Sequence, residues 1–188
     1  MPQLTHLTAS ALAIAAILLL PGCTGDAPIV LPSPESSTAP VFATDEEALA
    51  AAEVAYGEYL EASNAITGKK AADPQDIAPH IHPEYLPEIL DSIQDLREKR
   101  LHSSGPLTVD SVTLQQYEDD LQGPVTVAVY LCVDASNARL LNESKEDVTP
   151  ANRADRVPLE VTFESEERTS NLLMKSSDMW TGDDFCES

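Results

Sequence analysis

Hydrophobic positions follow three rhythms along this chain: an unbroken run, a recurrence every three or four residues, and a strict alternation. From Leu7 to Leu20 nearly every residue is apolar or small, which is the length of a signal-peptide core and too short to cross a bilayer comfortably as a helix. From Thr24 to about Ala43 the composition turns to Pro, Ser, Thr and Ala. Pro28, Pro32, Pro34 and Pro40 exclude both helix and central strand there, so the stretch reads as a flexible, disordered tether. The helical rhythm opens at Thr44-Asp45-Glu46-Glu47, which has the form of a capping box and places acidic groups at the positive end of a helix dipole. Leu49, Ala52, Tyr56, Leu60 and Ile66 then recur at helical spacing until Gly68, which is placed to end the run. Asp73-Pro74 predicts a short turn limited by Pro79 and Pro83. A second helix follows, with Leu86, Ile89, Leu90, Ile93, Leu96 and then Leu101 on one stripe, until Ser103-Ser104-Gly105-Pro106 terminates it.

After Pro106 the period falls to two. Leu107 and Val109, then Val112 and Leu114, predict one strand whose face shifts near Asp110-Ser111. Val125, Val127, Val129, Leu131 and Val133 alternate cleanly with Thr126, Ala128, Tyr130 and Cys132, and Gln122-Gly123-Pro124 supplies the turn between the two strands. Val157, Leu159, Val161 and Phe163 form another alternating run, and a last strand is expected from Leu172 to Ser177. Between Asp134 and Arg156 a small hairpin would pair Arg139-Leu140-Leu141 with Asp147-Val148-Thr149. Helices first and strands afterwards predict an α+β domain over residues 44–188, with its N-terminal helices packed on one face of a curved, cone-like antiparallel sheet.

Directly after the apolar run stands Leu20-Pro21-Gly22-Cys23, which resembles the lipobox of bacterial lipoproteins: an aliphatic residue at −3, a small one at −1 and a cysteine at +1. The resemblance implies a signal peptide over residues 1–22, a lipidated Cys23 as first residue of the mature chain, and residues 23–43 as anchor and linker. Acyl chains stabilise membrane attachment by about 0.8 kcal/mol per buried methylene, so no spanning helix is needed. The alternatives are an ordinary cleaved secretion signal or an uncleaved short anchor, and both also place the domain outside the cytoplasm. The expected address is the outer face of the cell membrane.

Charge narrows the partners. The 188 residues carry 32 acidic and 11 basic side chains for a net charge of −21, and residues 1–22 contribute none of it. Arg97, Lys99 and Arg100 form the densest local basic group among scattered basic residues, so no nucleic-acid surface is expected. Surplus acid keeps a domain soluble and monomeric, or attracts cations and basic partners. With Cys23 acylated, Cys132 and Cys186 remain to pair as a disulfide in an oxidising compartment. The bridge would close a loop of about 54 residues and stabilise by roughly 4 kcal/mol. The alternative is two buried free thiols.

A wider resemblance rests on the capped first helix, the proline-rich turn into the helix of Asp73 to Arg100, Val109-Asp110-Ser111-Val112, the strand Val125 to Cys132, Pro158-Leu159-Glu160-Val161-Thr162-Phe163, and Trp180-Thr181-Gly182-Asp183-Asp184-Phe185-Cys186. Together these look like small lipoproteins of high-GC Gram-positive bacteria. Their order of elements is similar to the nuclear-transport-factor-2-like cone, a superfamily that also holds ketosteroid isomerases and SnoaL-type cyclases. The resemblance implies a pocket between helices and sheet, but no family catalytic motif matches residue by residue, so no catalytic residue is assigned.

His80, His82, Tyr85, Tyr117, Tyr130, Asp178 and Trp180 are the titratable and aromatic candidates, with Tyr85, Tyr130 and Trp180 expected to line a pocket. His80-Ile81-His82 would aim two imidazoles the same way in extended chain, but nothing fixes a third ligand, so no metal is expected. Glu118-Asp119-Asp120, Glu164 with Glu166-Glu167, and Asp183-Asp184 lack the alternating spacing of a calcium loop and read as solvated turns. Trp180 and Phe185 flank Cys186 and are expected to pack the C-terminal segment over the sheet, with ligand stacking on Trp180 as the alternative. Two functions follow. One is a non-catalytic envelope module, without cofactor, binding a small apolar ligand or an envelope protein. The other is an isomerase- or dehydratase-like enzyme using the cone pocket.

Overall fold

A cap fixes the first helix. In the computed structural model, which describes residues 39–68 and 72–187, α1 runs Asp45–Thr67 with Thr44 as its N-cap. The Thr44 hydroxyl accepts the Glu47 amide at 3.3 Å, and Glu47 reaches back to accept the Ala43 amide at 2.8 Å. At the other end Gly68 is extended and not left-handed, and its amide donates to Asn64 O at 3.1 Å. A β-carbon there would lie 2.7 Å from Asn64 O, so close approach is what the glycine permits. The signal peptide of residues 1–22, Cys23 and the linker to residue 38 lie outside the described residues.

Asp73 accepts the Gln75 amide at 2.9 Å and opens a 3₁₀ turn, Pro74–His80, whose Ile77 is fully buried. Helix α2, Leu86–Glu98, follows, with Ile93 buried and Leu86, Ile89 and Leu90 half-buried against the same core. It ends earlier than the sequence predicts. Arg100 takes a left-handed φ of 56°, and His102–Ser104, read as helix terminator, forms strand β1.

The remaining strands are β2 (Thr108–Glu118), β3 (Thr126–Asp134), β4 (Arg139–Leu141), β5 (Arg156–Glu164) and β6 (Leu173–Met179). Four of them form an antiparallel sheet in the order β2-β3-β5-β6, while β1 and β4 make a separate two-stranded sheet. The fold is therefore α+β, with helices against a curved antiparallel sheet. The face shift expected near Asp110-Ser111 is a break in register between Val109 and Ser111, and a second break falls between Leu114 and Gln116. Each leaves one β2 residue, Asp110 and Gln115, out of the pairing, which bends and twists the strand. The expected small hairpin forms in part: the Val148 amide donates to Leu140 O at 2.8 Å and the Leu140 amide to the Thr149 hydroxyl at 2.8 Å, around a bridge between Leu141 and Asp147, while the other edge of β4 pairs with β1.

Val125, Val127, Val129, Leu131 and Val133 face inward and form one cluster with Ala48, Ala52, Tyr56 and Leu60 of α1, Ile77, Ile81, Phe163 and Met174. That burial is the main source of stability, at roughly 1.5–3 kcal/mol for each fully buried large side chain. The cluster also includes Phe42, 6% exposed, so the folded domain begins before Thr44. Residues Ala39–Ala43, assigned to the linker on composition, are held by distant partners. The Tyr117 hydroxyl accepts the Phe42 amide at 3.1 Å and donates to Phe42 O at 3.2 Å, with the two rings edge-on at 5.6 Å. Asp119 accepts the Val41 amide at 2.8 Å, and Arg168 pairs with Asp119 while donating to Ala39 O at 3.0 Å. Composition read these residues as tether, and it carried no sign of the docking, whose partners lie 75 or more residues away.

Candidate functional site

The face of the sheet turned away from the helices carries the candidate site. Alternation along β3 sends Tyr130 and Cys132 to that side, opposite Val129 and Leu131. Cys132 is nevertheless fully buried, because Cys186 is bonded to it and folds the C-terminal segment over the sheet, with Cα atoms 5.6 Å apart. The chain reaches Cys186 from β6 through a tight path: the Trp180 amide donates to Pro158 O at 2.9 Å and the Trp180 indole to Asp183 O at 3.2 Å. Gly182 lies against that ring, where a β-carbon would sit 2.4 Å from an indole carbon.

Three aromatic rings meet as a result. Tyr130 lies 4.8 Å from Trp180 and 5.8 Å from Phe185, ring centre to ring centre, both tilted. Beside them a groove of about 590 Å³ is lined by Asp110, Ser111, Thr113, Tyr130, Arg156 and Phe185. The two unpaired residues of β2 organise it. Asp110, turned out at the first register break, pairs with Arg156 at 2.5 Å, and Gln115, turned out at the second, donates to the Tyr130 hydroxyl at 2.8 Å. The bulges thus do more than bend the strand: they orient the groove's guanidinium and its phenol. Asp110, Arg156, Ser111 and Thr113 were not singled out for chemistry in the sequence, although the break in alternation at Asp110-Ser111 was the signal that marks them.

Tyr85 does not belong with Tyr130 and Trp180. It packs against the inner cluster, and its phenol pKa is raised first by burial and then by Glu88 and Tyr59. The three-residue pocket expected from the sequence is therefore divided between the two faces of the sheet. Tyr117 serves the N-terminal docking described above, and Asp178 lies exposed on β6 opposite Glu160.

His80 and His82 do not converge either. Ile81 between them is buried, His80 faces Glu58 of α1 at 3.7 Å, and His82 faces Glu164 of β5 at 3.5 Å. Glu164 is shared with Lys175 at 2.6 Å. Among the described residues, no group of three or more His, Cys, Asp or Glu side chains is placed to hold a metal ion. Of the acidic triplets, Glu166, Glu167, Asp183 and Asp184 are exposed as expected. Asp119 differs: its side chain is 3% exposed, and the Arg168 guanidinium holds its carboxyl well below the usual carboxylate range, with help from the Val41 and Leu121 amides. Asp120 is lowered for a simpler reason, since it accepts the Gly123 and Gln122 amides.

The groove offers aromatic faces, the hydroxyls of Ser111, Thr113 and Tyr130, and a neutralised ion pair. That set can hold a small amphipathic molecule or a protein side chain by stacking and hydrogen bonding. Its carboxylate is committed to Arg156, which does not suit a general base.

No protein-family model matches this chain, and no curated protein matches it. Solved structures do. The intermembrane space region of the chloroplast protein ARC6 superposes with a TM-score of 0.51 at 14% identity, over 70% of this chain and 95% of that chain. At that identity the likeness is one of fold. A periplasmic fragment of TraM gives a TM-score of 0.46 at 10% identity, over 73% of this chain and 98% of that chain. Among the described residues no helix is long and apolar enough to cross a membrane.

Proposed function

We propose that this chain is a lipid-anchored protein of the cell envelope whose folded domain binds a ligand or a partner and catalyses no reaction. The observation that carries the reading is the Cys132–Cys186 disulfide closing the C-terminal segment over the sheet, because such bonds persist in oxidising, extracytoplasmic compartments. The lipobox-like Leu20-Pro21-Gly22-Cys23 supplies the matching route and anchor. Binding is supported by the aromatic groove beside that disulfide. The absence of catalysis is supported by the pairing of Asp110 with Arg156 and of His82 and Lys175 with Glu164. The order of elements is the ground for keeping kinship with the nuclear-transport-factor-2-like cone within this proposal.

The test is intact-mass analysis of the full chain expressed in a lipoprotein-processing bacterium, beside Cys23→Ala. The expected product starts at Cys23, carries acyl mass, partitions into detergent and is two daltons lighter than its reduced form; Cys23→Ala stays out of the detergent phase. A product that keeps residues 1–22, lacks acyl mass and has all three cysteines as free thiols overturns the proposal.

A further inference from the structure

Gly57 is the least explained residue of α1. It sits in the middle of a 23-residue helix, where glycine is about 1 kcal/mol worse than alanine, yet a β-carbon added there would meet nothing within 4 Å. Packing within the chain therefore does not call for a glycine. The space belongs to a groove of about 470 Å³ between α1 and the start of β2, floored by Tyr56, Leu60, Leu107, Val109 and Val112. A second hollow, lined by His102–Gly105, Leu141, Glu143 and Lys145, continues it, sharing Asn64 and Pro106; the acidic rim belongs to the first groove.

Three features describe what fits there. First, β2 pairs only with β3 among the described strands, so its other edge is open for main-chain hydrogen bonding. Asn64 already shows the geometry, donating to Leu107 O and accepting the Leu107 amide, both at 3.0 Å, as an added strand would. Second, the groove follows α1 from Glu53 to Gly68, about 22 Å at the helical rise, which accommodates an extended segment of about six or seven residues. Third, Glu53 and Glu61 stand exposed on its α1 rim, neither in an ion pair among the described residues, in a chain of net charge −21.

We propose that the groove between Gly57 of α1 and the open edge of β2 is a docking channel for an extended, basic segment of a second protein. The segment adds to β2 by main-chain hydrogen bonds, places alternate apolar side chains on Tyr56, Leu60 and Val112, and presents cations to Glu53 and Glu61. Gly57 leaves room for its backbone. The inference deepens the binding-module reading but is independent of the anchor, so a failed lipidation test leaves it standing.

The test uses the purified full chain and a capped hexapeptide alternating valine and lysine, with its valine–glutamate counterpart as control, followed by amide chemical shifts. The expected result is salt-sensitive binding of the lysine peptide alone, with shifts at Gly57 and along Val109–Val112. Gly57→Leu should weaken it at least tenfold, and Glu53→Gln with Glu61→Gln should weaken it severalfold and flatten its salt dependence, while Gly57→Ala raises the melting temperature. Failure of the lysine peptide to bind, shifts at the Tyr130 groove instead, or binding unchanged in the two glutamine substitutions overturns the proposal.

Discussion

A single carboxylate, Asp119, ties three separate stretches of chain together. It pairs with Arg168 of the loop before β6, accepts the Val41 amide from the N-terminal segment and accepts the Leu121 amide of its own turn. Because its folded pKa is lowered, its contribution is complete above the ordinary carboxylate value of about 3.9 and disappears as pH falls through the lower folded value. Asp119→Asn should therefore destabilise the docking of Ala39–Phe42 at neutral pH, seen as faster hydrogen exchange at the Val41 and Phe42 amides. The gap between variant and wild type should close as acid is added below that window. Equal exchange in the two proteins at pH 7 would refute this role. Nothing local distinguishes Asp119 from its neighbours in Glu118-Asp119-Asp120, which is why the sequence reads all three as a solvated turn. Its partners lie 49 and 78 residues away, and ion pairs at such separations leave no periodic trace.

At the scale of elements, local signals were reliable wherever the cause was local. The capping box, the Asp73-Pro74 turn and the β3 alternation each depend on residues within a few positions, and each forms where the sequence places it. Thr44→Ala should cost about 1 kcal/mol and lower the melting temperature by about 2–4 °C, whereas Thr44→Ser should stay near wild type; thermal unfolding followed by circular dichroism decides it. Elements with distant causes were harder to read. β1 is three polar residues long and exists because β4, 37 residues onward, pairs with it in register from His102 opposite Leu141 to Ser104 opposite Arg139. The second break in β2 was invisible for a related reason: Leu114 and Tyr117 fall out of phase by one residue, and only the Gln115 bond to Tyr130 shows what the extra residue does.

At the scale of the folded domain, its first and last described segments are fastened to opposite ends of the same sheet. Residues 39–42 dock beside the turn that leads into β3, whereas Cys132 lies six residues along that strand, about 20 Å away at the strand rise. The disulfide is what keeps the aromatic groove assembled, since it holds Phe185 against Tyr130 and closes a 54-residue separation. Cys132→Ser with Cys186→Ser should lower stability by about 2–4 kcal/mol without removing the inner cluster, because Val129, Leu131 and Val161 face the other way. Trp180, the sole tryptophan, reports the outer face directly. Its emission should shift to the red and become more accessible to quencher in the double-serine protein, while the far-ultraviolet dichroism stays close to wild type. Unchanged Trp180 emission after loss of the bond would mean that the Pro158 and Asp183 hydrogen bonds hold the indole unaided, and that the groove does not depend on the covalent closure.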